Sequence, residues 1–248
     1  MNTDTVADFT ESSYNRLLLK ARKKFRFVTP GEEPVADAGD PICIWRHDVD
    51  VSPHRALQLA KQEVELGVAA TYYVMLGSRF YNVFEPSITF ILTKIAEMGH
   101  RIGLHFDASR YRNSNQDEIS SKLRWEAQTL AELMGTQISS FSLHDPTSAQ
   151  GATLLNMQPR DLFNASLSSY VATFTYCSDS NGLWRHRSLH AVLEDESVRR
   201  LYALSHPEWW TPEPASPRHR IQRAIDGRAA RCAQEYDEGL AKYGRPNY

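Results

Sequence analysis

Five ionisable residues stand where they can do hydrolytic chemistry together: Asp48, Asp50, His105, His144 and His206. Each follows a short apolar run, and in a chain of alternating strands and helices such runs end at a common rim. A divalent metal needs oxygen and nitrogen donors from separate segments, and a catalytic site uses about three of them while leaving room for water. Two carboxylates one residue apart do not usually ligate the same ion at a strand end, so Asp-x-Asp offers a metal ligand and a neighbouring base. The bland alternatives are definite. Asp48 and Asp50, lying before Ser52-Pro53, would also serve to cap a helix, and His144-Asp145-Pro146 and His206-Pro207 would also serve as turns. Shared placement after apolar runs favours the metal reading, whereas His100, which precedes its strand, reads as a hydrogen-bonded structural residue.

The elements that must position these groups appear as periodic runs. A helix is expected over 10–25, with Tyr14, Leu17, Leu18, Ala21 and Phe25 on one face. A loop rich in proline and acids, 29–41, leads to an apolar strand at 42–45 that delivers Asp48 and Asp50. Ser52-Pro53 then starts a helix with Leu57, Ala60 and Val64 on its apolar side, ended by Gly67. Strand 69–76, helix 85–98, a short strand around 102–104 ending at His105, helix 116–134 and strand 138–143 ending at His144 continue the rhythm. Beyond, short strands are expected near 172–176, a polar turn at 178–182 and a strand at 201–204 that delivers His206. A last helix, 216–242, should bury Ile221, Ile225, Ala229, Tyr236 and Leu240. Strands alternating with helices at this spacing predict a mainly parallel sheet.

Composition bounds the function. At 248 residues, with 42% hydrophobic and 23% charged residues, the chain has ample material for a core and reads as globular. A formal charge of -2 provides no basic surplus, so no nucleic-acid partner is expected. Cys43, Cys177 and Cys232 lack the paired spacing of a zinc knuckle or redox motif, and Cys43 lies in an apolar strand. Residues 1–13 are acidic and polar where a secretory signal would be basic and then apolar, and no stretch is long enough for a transmembrane segment. A cytoplasmic location follows as the expectation, with work at the inner face of the membrane compatible with it.

Arg46-His47-Asp48-Val49-Asp50, Gly99-His100-Arg101-Ile102-Gly103-Leu104-His105 and Leu204-Ser205-His206-Pro207 resemble, in order, successive motifs of the polysaccharide deacetylase (NodB-homology, carbohydrate esterase) superfamily. The resemblance spans about residues 42–210. It implies an α/β fold, a distorted (β/α) barrel with fewer than eight strands, occupying 1–248 as one domain with 1–41 as a helix and loop ahead of the first barrel strand. It further implies that Asp48 is the catalytic base, Asp50 and His105 are metal ligands, and His206 is the catalytic histidine. The family's usual second metal histidine lies four residues after the first, where this chain has Ser109. His144, ending the next strand, is the candidate third ligand and Asp107 the alternative, although the place of His144 resembles that of a family arginine that orients the base. Asp179, with Trp184 and Arg185 nearby, resembles the motif that supports the histidine acid and walls the substrate pocket; Asp179 would equally serve a tight turn. Trp209 and Trp210 offer aromatic faces to a sugar, or else plug the end of the barrel.

Taken together, these readings predict a zinc-dependent or other divalent-metal hydrolase that removes an acetyl or formyl group from an amino sugar, on a polysaccharide or in lipopolysaccharide biosynthesis. One alternative is hydrolysis of a non-sugar amide or other C–N bond, since the metal site does not itself specify a sugar. A second is a catalytically silent barrel that binds saccharides through Trp184, Trp209 and Trp210.

Overall fold

The computed structural model describes residues 9–33 and 39–246, so the first eight residues and part of the loop expected over 29–41 lie outside the described residues. In chain order the elements are α1 (Glu11–Lys24), β1 (Arg26–Phe27), β2 (Ile42–Val49), α2 (Pro53–Glu65), β3 (Thr71–Val74), α3 (Pro86–Glu97), β4 (Arg101–Phe106), α4 (Gln116–Met134) and β5 (Ser140–Leu143). There follow α5 (Ala149–Leu154), β6 (Phe163–Asn164), α6 (Ser168–Val171), β7 (Thr175–Ser180), β8 (Leu183–Trp184), α7 (Leu189–Glu194), β9 (Arg200–Ser205) and α8 (Pro217–Lys242). Short 3-10 turns occupy Ala108–Tyr111 and Pro207–Trp209.

Local signals explain where the helices start. Thr10 accepts from the Ser13 N–H at the head of α1, Ser52 accepts from the Arg55 N–H with Pro53 beginning α2, and Asn115 and Glu118 form a reciprocal capping box on α4. At the far end of α4, Gly135 takes φ +62°, the left-handed turn that a side chain would resist.

The sheet runs β6-β5-β4-β3-β2-β9-β7-β8, with β1 also beside β2. Seven of these strands, from β6 to β7, make a continuous parallel wall; only the β7–β8 hairpin is antiparallel. The two-residue strands β1 and β8 are additions to that wall and bring the sheet to nine strands among the described residues. The result is the α/β distorted barrel, its wall one strand short of eight.

β2 is buried along its whole length, as parallel strands covered on both faces must be. Its two-residue period separates two environments. Cys43, Trp45 and Val49 join the large core shared with the helices, whereas Ile42 and Ile44 pack with Phe174 and Tyr202 inside the curl of the sheet. Arg46 and Asp48 continue that inner row toward the C-terminal rim. Between the two ends of the wall, Arg46 and the Tyr202 hydroxyl both donate to the Ala165 carbonyl, which closes the gap with side chains instead of a ladder.

Behind the rim lies a polar knot. Glu63 of α2 accepts from the hydroxyls of Tyr14 and Tyr72 and pairs with His47 Nε2 at 2.7 Å, while His47 Nδ1 stands 3.1 Å from the Ser205 carbonyl. α1, α2, β2, β3 and β9 are thereby tied through one carboxylate. His100 is structural as expected: its Nδ1 accepts from the Ala70 N–H, which leaves Nε2 to donate to the Ala60 carbonyl.

Three expectations from periodicity need correction. The final helix does not bury the face proposed for it: Ile225 is 41% and Tyr236 63% exposed, and Arg220 is its buried residue. α8 meets the barrel through its first turns, against the Pro207–Trp209 turn, and through Arg228, which pairs with Glu85, whereas Ile225 and Tyr236 lie outside these contacts. Val64 is likewise exposed, because α2 turns Ala56, Leu59, Ala60 and Glu63 inward instead. Finally, the turn expected over 178–182 is confined to Asn181-Gly182, both at positive φ as a two-residue hairpin demands, and Asp179 sits inside β7.

Candidate active site and metal centre

Parallel registry sets the site. Asp48 lies level with Tyr73 of β3, and His105 of β4 lies level with Ser142 of β5, so neighbouring strands release their functional residues at one rim. Asp50, His105 and His144 converge there, their donor atoms all within 4.8 Å of one another. His105 Nε2 is 3.1 Å from Asp50 Oδ1, His144 Nδ1 is 3.4 Å from Asp50 Oδ2, and His144 Nδ1 is 3.3 Å from His105 Nε2. Donors about 2.0–2.2 Å from a tetrahedral zinc ion stand roughly 3.3–3.6 Å apart, so the spacing suits a shared cation.

Two further observations fit that reading. Asp50 Oδ1 is buried yet takes part in no hydrogen bond, an omission that costs free energy unless a cation or donor occupies its lone pairs. His105 Nδ1 meets the Ser142 hydroxyl at 2.7 Å, which turns Nε2 toward Asp50, the outer support typical of a metal-binding imidazole. Asp107, the alternative third ligand, is not in the cluster. Its carboxylate accepts from both the backbone N–H and the hydroxyl of Ser109, starting the 3-10 turn, so Ser109 at the family's second-histidine position ties down a loop instead.

Asp48 is set beside the cluster, with Oδ2 3.8 Å from His105 Nε2. Arg46 holds it with both arms of the guanidinium, Nε to Oδ1 at 3.1 Å and Nη2 to Oδ2 at 2.7 Å. Burial alone would raise the Asp48 carboxyl, but Arg46, His105 and His206 together hold it below the usual carboxylate range. Burial is likewise outweighed at Asp50, whose carboxyl lies well below its ordinary value beside His105, His144 and His206. Both aspartates are therefore anions at neutral pH.

His206 faces the same centre, Nε2 lying 3.7 Å from Asp50 Oδ2. Asp179 grips it from behind, accepting from the His206 backbone N–H at 3.0 Å and from ring Nδ1. Burial would strip this ring of its proton; Asp179, with Asp50 and Glu208, instead raises it well above the ordinary histidine range. These acids favour the protonated ring, whose Nε2 is directed inward. Glu208 differs again, pushed up to about 8 by burial against the pull of His206.

Two cavities meet at these groups. One, about 550 Å³, is lined by Arg46, Asp48, His105, Asp179, Arg185 and His206; the other, about 1030 Å³, by Asp107, Arg110, Glu208 and Trp209; Asp50 and His144 face both. Arg185 therefore reaches a cavity wall. The aromatic residues divide: Trp209 lines the larger cavity, Trp184 stacks on Phe9 with centroids 5.0 Å apart, and Trp210 is wholly buried against Phe9 and Tyr14. Trp210 cannot present a face to a sugar; it packs in the core shared with the helices, which corrects its assignment to the substrate surface.

Sequence reasoning overlooked Arg46 as the orienting group and Ser142 as the support of His105. A signal for both existed in the two-residue strand period, since Arg46 shares a face with Asp48 and Ser142 with His144.

No family profile matches the chain, and no curated protein does. Solved structures do. The catalytic domain of peptidoglycan N-acetylglucosamine deacetylase from Eubacterium rectale is similar with a TM-score of 0.50 at 13% identity, over 81% of this chain and 90% of that one. A family 4 carbohydrate esterase from Bacillus anthracis has 12% identity over 95% and 88% of the two chains, with a TM-score of 0.43. The chitin deacetylase of Colletotrichum lindemuthianum has 13% identity over 81% and 88%, with a TM-score of 0.41. At such identity the first likeness shows the fold alone: the chain shares the distorted α/β barrel of that catalytic domain. Among the described residues no helix is long and apolar enough to cross a membrane.

Proposed function

We propose that this chain is a divergent polysaccharide deacetylase-type enzyme, a metal-dependent hydrolase that removes an N-acetyl or N-formyl group from an amino sugar. The observation that supports it above all is the Asp50, His105 and His144 cluster with the Arg46-held carboxylate of Asp48 on one side and the Asp179-held ring of His206 on the other. Two oppositely prepared proton carriers flank one set of donor atoms, as amide hydrolysis requires.

Asp50, His105 and His144 would hold a divalent ion, zinc by the nitrogen-rich donor set, and when bound it supplies Lewis acidity toward the acyl oxygen and the hydrolytic water. The chain's own groups carry the protons. Asp48 accepts one from the water as its oxygen bonds to the acyl carbon. Arg46 fixes the carboxylate plane so that the lone pair is aimed before the substrate arrives. His206 Nε2 gives a proton to the amide nitrogen as the C–N bond breaks, and Asp179 keeps that proton on the ring until then. Carboxylate and amine leave, and one water is consumed.

The setting we infer is cytoplasmic assembly of a cell-surface polysaccharide or lipopolysaccharide, which subcellular fractionation tests. For the activity, release of acetate or formate from N-acyl amino sugars is assayed alongside metal analysis of the purified protein. Asp48→Asn should lower turnover by about 10²–10⁴-fold and keep the metal, whereas His105→Ala should lose both. Full activity in either variant rules out these roles, and failure to take up any divalent metal favours a silent saccharide-binding barrel.

A further inference from the structure

The larger cavity, about 1030 Å³, has Asp50 and His144 on its floor, but its walls are unlike those needed for a neutral glycan. Arg79 comes from the loop after β3, and Arg110 and Arg112 from the turn after β4. Among the described residues neither Arg79 nor Arg112 is within ion-pair distance of a carboxylate. Arg110 is aimed by its surroundings: it lies 3.5 Å from the buried Glu126, and its guanidinium rests where a Cβ on Gly77 would stand. Trp209 lines the same cavity.

Of the acids on these walls, Asp107 accepts from Ser109 and Asp145 accepts from Thr147, Asp50 belongs to the metal donors, and Glu208 is 3% exposed. Three forked cations, two of them without a carboxylate partner among the described residues, form a donor-rich surface for several anionic oxygens held close together. A phosphoryl group has that chemistry: up to two charges and three strong acceptors, matching arginine forks bidentately.

Resting on the deacetylase reading, we infer that the substrate is a phosphorylated amino sugar, its phosphoryl group held by Arg79, Arg110 and Arg112 while its acyl group lies over Asp50 and His144. Gly77 is a positioning residue here, leaving the space in which the Arg110 guanidinium sits.

The test uses calorimetric binding of two probes without an acyl group, glucose 1-phosphate and methyl glucoside, to the full chain. The phosphate should bind at least ~10-fold tighter than the neutral sugar, and Arg79→Ala and Arg112→Ala should each weaken it by ~10-fold, leaving methyl glucoside unchanged. Gly77→Ala, which displaces Arg110 without altering charge, should weaken the phosphate selectively as well. Equal binding of both probes overturns the inference, as do unchanged variants. Tighter binding of glucuronate than of glucose 1-phosphate overturns the phosphoryl assignment in favour of a carboxylate. Because neither probe can be deacylated, these results bear on the arginine wall, whereas an absence of acyl release from every N-acyl sugar bears on the hydrolase reading.

Discussion

Arg46 and Asp48 are 4% and 3% exposed at their side chains, and the energetics of the site begin with this pair. A carboxylate so deeply placed is tolerable only because a fixed cation neutralises it and two hydrogen bonds satisfy its oxygens. Removing the cation by Arg46→Met would strand Asp48, at a cost of about 3–5 kcal/mol in unfolding free energy by denaturant titration. The same variant should retain the metal donors and still lose turnover, because nothing then aims the base. Undiminished stability would mean that Asp48 finds another partner. His206 obeys the reverse logic, since its charge survives burial through Asp179. Arg46 and Asp179 thus prepare opposite protonation states within one cleft. Of this arrangement, Asp48, Asp50, His105, His144 and His206 were legible as strand-end residues, because strand endings are written in local apolar runs. Their supports were legible only in part: Arg46 shares a face of β2 with Asp48 two residues on, but the meeting of Ser142 with His105 depends on the β4–β5 register, which no local pattern specifies.

At the scale of elements, the Glu63 knot links five of them behind the rim. Burial alone would raise the Glu63 carboxyl, but His47, His100 and Tyr14 hold it below its ordinary value of 4.5, and burial holds His100 below 6.5. For both groups the unfolded chain binds more protons than the folded one as pH falls through these ordinary values. The contribution of these two groups is therefore present at higher pH and declines progressively toward acid, first through His100 and then through Glu63. Glu63→Gln should flatten the lower part of that decline, measured as unfolding free energy between neutral pH and pH ~4. An identical acid slope in the variant would place the sensitivity elsewhere. The last helix teaches a different lesson. Periodicity marked Ile225 and Tyr236 as buried, and the spacing was real, but an amphipathic face is buried only where another element meets it. With Tyr236 63% exposed, Tyr236→Ser should change stability by no more than about 0.5 kcal/mol, and a larger loss on thermal or chemical unfolding would reveal packing there.

Viewed as a whole, the molecule uses a parallel wall to bring chain-distant groups to one edge, and a side-chain bridge from Arg46 and Tyr202 to Ala165 to hold the wall curled. The alternation of strands and helices made the sheet legible from sequence, and the deacetylase-like motifs made its curl an expectation. The positions of β6 and β8 were not legible, because two-residue strands and short helices carry too few residues for a period to emerge, and β7, expected near 172–176, lies at Thr175–Ser180. The account as a whole depends on a cation at the edge where Asp50, His105 and His144 meet. Zinc-soaked crystals, with anomalous scattering recorded at the zinc edge, measure this directly. The account predicts one peak about 2.0–2.2 Å from an Asp50 carboxylate oxygen, His105 Nε2 and His144 Nδ1, with a further position open toward Asp48. A peak bound by other residues, or no peak at these three donors at saturating zinc, would contradict it.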